Sequence, residues 1–398
     1  MSFSYHRPLE ALGTPAGPLL LQRLLAVRDF LSVALPIANA HTGDFYTRGV
    51  WGELVGGSPE AVLAAFSRHH PPEPRQEPTV SWDESGLTKI FCETTHKLVD
   101  LEAFLVAAKD HSLAYIGVCT QLGQLLEHLT EKEVKSPDKR IQTDEFMNNK
   151  KSHEVLVMSQ VIDAIANYCG IKQDSIMVGL HTCGDLAPNT LRIFAAKPEI
   201  KAVCSVGCCY HLLSEEFETQ AEENTPEKWG FPMCQELRKE GWCCGRNARM
   251  SACLALDRVA AGQVLPLESL FYRAVLQVII KECYDNVKSD RRVGKAFSKS
   301  SCFIDYCRES LKNLGLDESK LPDSCLMEYH EMYKGRMKEL EAFNMLKVVL
   351  SPCIEALILL DRLCYLREQD NMAWSGLVQL FDPVKSPRCY AVIGVKKL

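Results

Sequence analysis

Ser175-Ile176-Met177-Val178-Gly179-Leu180-His181 runs into Thr182-Cys183-Gly184-Asp185, and Ile200-Lys201-Ala202-Val203-Cys204-Ser205-Val206 follows a short way downstream. Both apolar runs are nearly continuous, as expected of strands covered on both faces. Thr182 to Asp185 is a turn, and Asp185 is placed to cap a helix from Leu186 to about Ala196. Strand, helix and strand at this spacing make a βαβ unit, with parallel neighbouring strands and a right-handed crossover. The fold class is therefore α/β. Gly207-Cys208-Cys209-Tyr210-His211 follows the second strand, with Ser214 positioned to cap a further helix.

Outward from this unit the chain reads as helical. Upstream, Leu19 to Ala34 is apolar at helical spacing, and Ser58-Pro59-Glu60 opens a short helix. His70 to Pro78 is a proline-rich linker, Leu98 to Leu129 is mainly helical, and Glu131 to Arg140 is a charged loop. Lys150 to Tyr168 is an amphipathic helix with Asn148 or Asn149 as its cap. It offers Val155, Val157, Met158, Val161, Ile162 and Ile165 for one face. Downstream, Ala248–Ala261, Leu267–Cys283, Ser301–Leu314, Cys325–Leu340 and Glu341–Arg367 read as helices. Ser375–Phe381 and Arg388–Val395 close the chain as an antiparallel hairpin. This divides the chain into a helical region at 1–145 and an α/β domain at 146–398, with a helical insert at about 247–370.

The chain has 398 residues and a formal net charge of −6 with no long basic block, so no membrane partner is expected and there is no strong nucleic-acid signature, a local basic groove staying open. Its 18 cysteines are scattered, mostly in apolar stretches, and the N-terminus lacks the form of a signal peptide. Both features point to the cytoplasm or nucleus. Met345 to Leu366, the most apolar stretch, carries charges and a proline and reads as a buried helix.

In an open parallel sheet, ligands bind beyond the carboxyl ends of the strands. There His181, Asp185, Tyr210 and His211 are candidates for holding a polar substrate or moving a proton. The bland alternative makes Asp185 a helix cap and the cysteines small buried apolar residues. Cys208, Cys209, His211, Cys243 and Cys244 have the chemistry for zinc, but adjacent cysteines seldom aim both sulfurs at one ion, so no metal is expected. Arg246, Asn247 and Arg249 follow two glycines at a helix start and are candidates for a substrate anion, with an internal salt bridge as the competing reading. Lys150-Lys151-Ser152-His153-Glu154 alone reads as a solvated helix start.

Gly179 to Leu186, Val206 to Phe217, Cys243 to Met250 and Ser386 to Ile393 closely resemble the methyltransferase-like protein 25 family, and the likeness extends to Lys150–Glu154. The resemblance implies a Rossmann-like class I methyltransferase sheet, with S-adenosyl-L-methionine (SAM) as cofactor. It makes Ser175–His181 the fourth strand, Ile200–Val206 the fifth, and the closing hairpin the sixth and seventh. The methyl acceptor, whether protein, RNA or small molecule, is left open. Such an enzyme needs a glycine-rich turn after its first strand and an acidic residue ending the second. This chain has no Gly-x-Gly triplet, and only Gly170-Ile171-Lys172-Gln173-Asp174 stands where the first three strands belong. Ile116 to Gly123 sits within a helical pattern and is a poor substitute. The expectation is an incomplete sheet, as in a splice form joined at Gln173-Asp174, which does not bind SAM and is inactive. The alternatives are a non-catalytic interaction protein and a zinc-dependent binding module.

Overall fold

A computed structural model describes residues 9–12, 17–68, 84–130, 147–171, 175–218, 228–263, 265–284, 293 and 296–397. The linker at His70–Pro78, the charged loop at Glu131–Arg140 and the Gln173-Asp174 junction lie outside these residues.

Five strands form one mixed sheet: β1 (Cys119–Gln121), β2 (Ser175–Thr182), β3 (Ile200–Gly207), β4 (Met372–Gln379) and β5 (Tyr390–Lys396), in the order β1-β4-β5-β3-β2. β2 and β3 are parallel neighbours joined by the Leu186–Ala196 helix, as the βαβ reading requires. β5 pairs antiparallel with both β3 and β4, so the closing hairpin is built into the sheet.

Alternation along the strands separates two apolar layers. Ala202, Cys204 and Val206 of β3, with Ala391, Ile393 and Val395 of β5, pack beneath Val157, Met158, Val161 and Ile165 of the Asn149–Tyr168 helix. Val203 and Val392 face the larger core on the other side. Met337–Arg367 is the axis of that core, packed against Gly17–Asn39, Pro59–Arg68 and β4. By length and composition it could cross a membrane, but 83% of its most apolar window is buried inside the protein.

Several local expectations change. β2 is an edge strand, not one covered on both faces: Val178 is 46% exposed, and only Gly179 and Thr182 are buried. Among the described residues, no strand pairs with the outer edge of β2. Leu98–Leu129 is not one helical stretch, because the helix Leu101–Asp110 ends and β1 leads into a second helix, Leu122–Thr130. β1 pairs in parallel with β4, at the sheet edge opposite β2. Ala248–Ala261 splits into Arg246–Ser251 and Leu256–Ala260. Among the described residues Ser214 caps no helix: its hydroxyl accepts from the Gly230 amide at 2.8 Å, beside a bridge between Glu215 and Phe231. Val155 points to solvent.

Candidate active site at the strand ends

The carboxyl ends of β2 and β3 meet. Cys183 Sγ lies 3.0 Å from Cys208 Sγ, and Thr182 Oγ1 donates to the Val206 carbonyl at 2.9 Å while lying 3.1 Å from Ser205 Oγ. Asp185 stands at the helix N-cap position but makes no side-chain cap bond; its Oδ1 accepts from the Ser214 amide at 2.8 Å. The capping role is thus replaced by a tie between the two loops. Glycine is required on both sides of that tie. Gly184 has φ +52 and would bring a Cβ to 2.6 Å from the Leu212 carbonyl oxygen, and a Cβ at Gly230 would fall 2.0 Å from Asp185 Oδ1.

His181 leaves the strand at φ +60, inside a register shift between Gly179 and Thr182. A histidine in the left-handed region costs free energy and persists where the surroundings hold it. Here Glu154 does so, with its Oε2 3.3 Å from His181 Nε2. Glu154 is 2% exposed, accepts from Ser386 Oγ at 2.5 Å and lies 3.5 Å from Lys150 Nζ. Burial alone would raise its pKa, but Ser386, Lys150 and His181 outweigh it and hold the carboxyl below its ordinary value. The Lys150–Glu154 stretch, without a role in the residue-level reading, therefore borders the site. The available signals were the one-turn spacing of Lys150 and Glu154 and the family likeness of that stretch.

The other candidates divide. His211 is half-buried, with Nδ1 3.7 Å from Cys253 Sγ. Tyr210 is withdrawn into the core at 2% exposure. Its hydroxyl donates to Glu355 Oε1 at 2.7 Å, and Arg388 Nη1 donates to the same oxygen at 3.1 Å. Burial and the neighbouring carboxylate push the phenol well above its ordinary value, so Tyr210 keeps its proton and serves packing. Of the arginine segment, only Arg246 has an exposed side chain. Asn247 Nδ2 donates to the Asn39 carbonyl at 2.9 Å. Arg249 is buried against Glu215 at 2.5 Å and Glu218 at 3.3 Å, which is the salt-bridge reading. Glu215 also accepts the Cys244 and Gly245 amides at 2.8 and 2.9 Å, fixing the start of the Arg246–Ser251 helix.

The thiols that gather are Cys183, Cys208 and Cys209, whose sulfurs all lie within 4.8 Å of one another. Cys244 is instead buried in the Glu215 network, so the five residues with the chemistry for zinc do not gather at one point. A separate cleft of about 460 Å³ opens beside the Leu186–Ala196 helix, between Arg192, Trp229, Arg238 and Tyr365. Its arginines are engaged, Arg192 with the Trp229 carbonyl at 2.5 Å and Arg238 with Glu216 at 2.9 Å.

A family model described as a methyltransferase domain matches residues 105–216, which include β1, β2 and β3. The human "Probable methyltransferase-like protein 25" is 42% identical over 593 aligned positions, covering 96% of this chain and 98% of that protein. The chain belongs to the methyltransferase-like protein 25 family. The mouse relative of the same name is 40% identical over 584 positions, with the same coverage of both proteins. No solved structure matches. The human alignment runs over 593 positions and this chain has 398 residues, so at least 195 positions of that relative have no counterpart here. Because the alignment spans 98% of the relative, the shortfall is internal.

Proposed function

We propose that this chain is a methyltransferase-family protein that keeps the acceptor side of the site and has lost the cofactor side. The observation that carries this reading is the position of β2. The family resemblance makes it the fourth strand, and the absent first three strands belong beyond it. Among the described residues nothing pairs with its outer edge, and the sheet order ends there. The internal shortfall against the relatives supports the same reading. Among the described strands, β1 runs directly into a helix, but it lies at the far edge and has Leu122 and Gly123 where a glycine-rich turn would stand.

SAM is a charged, ribose-bearing ligand that depends on close backbone approach and an acidic ribose partner. The residues present do not supply that cradle. No methyl-transfer step is therefore assigned to this chain. His181, which is exposed, and His211, which is half-buried, would remain available to hold a polar acceptor without turning it over, with Glu154 and Asp185 holding the strand ends in place. The eighteen free cysteines favour a reducing compartment, cytoplasm or nucleus. Thermal unfolding with and without SAM or S-adenosylhomocysteine tests the proposal. Ligand at 100 times its dissociation constant adds about 2.7 kcal/mol of stability, and this chain should show no shift at millimolar ligand. A dose-dependent rise of several degrees would overturn the proposal.

A further inference from the structure

We propose that Cys183, Cys208 and Cys209 form a binding site for a single zinc ion, with solvent in the fourth position. The site is independent of the loss of the SAM cradle, because every ligand comes from the part of the sheet that is present. The sulfur separations carry the proposal: 3.0 Å for Cys183–Cys208 and 3.5 Å for Cys208–Cys209, with all three sulfurs inside 4.8 Å. A tetrahedral zinc at about 2.3 Å from each sulfur sets an edge of about 3.8 Å between ligands. The three thiols straddle that edge and need only small side-chain rotations to reach it.

The scaffold is stiff where it has to be. Cys183 leaves β2 and Cys208 leaves β3, two hydrogen-bonded strands. The Thr182–Val206 bond, the Asp185–Ser214 tie and the Gly184–Leu212 contact hold the two turns against each other. Ligands on such elements are placed before the metal arrives. Thiolate sets select soft or borderline cations, which favours zinc over magnesium or calcium. The cluster is also reachable, since Cys183 is exposed and Cys208 and Cys209 are half-buried. The adjacent pair, unfavourable by spacing alone, becomes usable because the loop after β3 brings both sulfurs to one side with Cys183. Binding exchanges three S–H protons for the metal, so zinc uptake releases three protons to solvent.

The competing fate of Cys183 and Cys208 is a disulfide, which requires their sulfurs to close to about 2.05 Å. The full chain, purified without chelator under reducing conditions, separates the two. Elemental analysis should give one zinc per chain, and zinc titration against a chromogenic chelator should restore it after stripping. Cys183→Ser and Cys208→Ser should lose it; Cys243→Ser, outside the cluster, should keep it. In the unsubstituted chain, zinc should slow alkylation of Cys183, Cys208 and Cys209 by at least about tenfold and leave the exposed Cys302 unaffected. That footprint decides the matter if the serine variants fail to fold. Unchanged labelling with added zinc, or a Cys183–Cys208 disulfide in protein that takes up no zinc, would overturn the proposal.

Discussion

Glu215→Ala is the substitution with the most informative cost. The Glu215 side chain has 0% and Arg249 3% of its surface exposed, so the pair sits away from water. Breaking a buried ion pair by removing one partner costs about 3–5 kcal/mol, because the other charge stays behind uncompensated. Glu218, at 3.3 Å from Arg249, remains as a second carboxylate and draws the value to about 3 kcal/mol. The Cys244 and Gly245 amides lose their acceptor at the same time, adding about 1 kcal/mol each. A total of about 4–5 kcal/mol is expected. Adding Arg249→Met removes the stranded charge and should restore about 2 kcal/mol of it. Urea unfolding followed by tryptophan fluorescence measures both, with Trp242 two residues from Cys244 and edge-on to Phe231 at 6.3 Å. A loss below about 1 kcal/mol in the single variant, or no recovery in the double, would refute the structural role assigned to Arg249.

Gly184→Ala should destabilise the protein by about 2–3 kcal/mol, since the new Cβ meets both a positive φ and the Leu212 carbonyl; a neutral result in urea unfolding would dissolve the tie between the strand ends. Glu154 has its folded-state pKa below the ordinary 4.5, so its contribution is present above that value and is lost as pH falls through the folded one. Glu154→Gln should therefore lower stability at neutral pH and remove part of the loss below about pH 4.5, and an acid-unfolding curve parallel to that of the unsubstituted chain would contradict this. Val178→Lys places a charge on the exposed edge of β2 and should reduce concentration-dependent association in light scattering; unchanged association would mean that this edge is not the sticky one.

The sheet was legible because its strands are written as apolar runs with turns at their ends. β3 and β5 are buried along almost their whole length, and the pattern located them within about two residues. β2 carries the same apolar pattern but stands at the edge of the described sheet, since an apolar run does not say which strands lie beside it. The three-residue β1 is too short for periodicity to separate from the helices around it. At the candidate site, the strand-end rule placed His181 and Asp185 at the end of β2 but did not point to the residues they bond. Glu154 reaches His181 from a helix 27 residues upstream, and Asp185 bonds an amide 29 residues downstream; no local pattern announces either. Tyr210 sits in a segment rich in site-like residues, yet Glu355 and Arg388, from opposite sides of β4 in sequence, take it into the core.

Calorimetric titration of the purified chain with SAM, run beside the human relative that retains the additional internal positions, tests the central claim most directly. Each lost hydrogen-bonding partner costs about 1–3 kcal/mol, and tenfold in affinity is about 1.4 kcal/mol, so losing the loop and the ribose acid together removes several orders of magnitude. The prediction is no heat of binding for this chain up to millimolar SAM; saturable binding with a micromolar dissociation constant would contradict it.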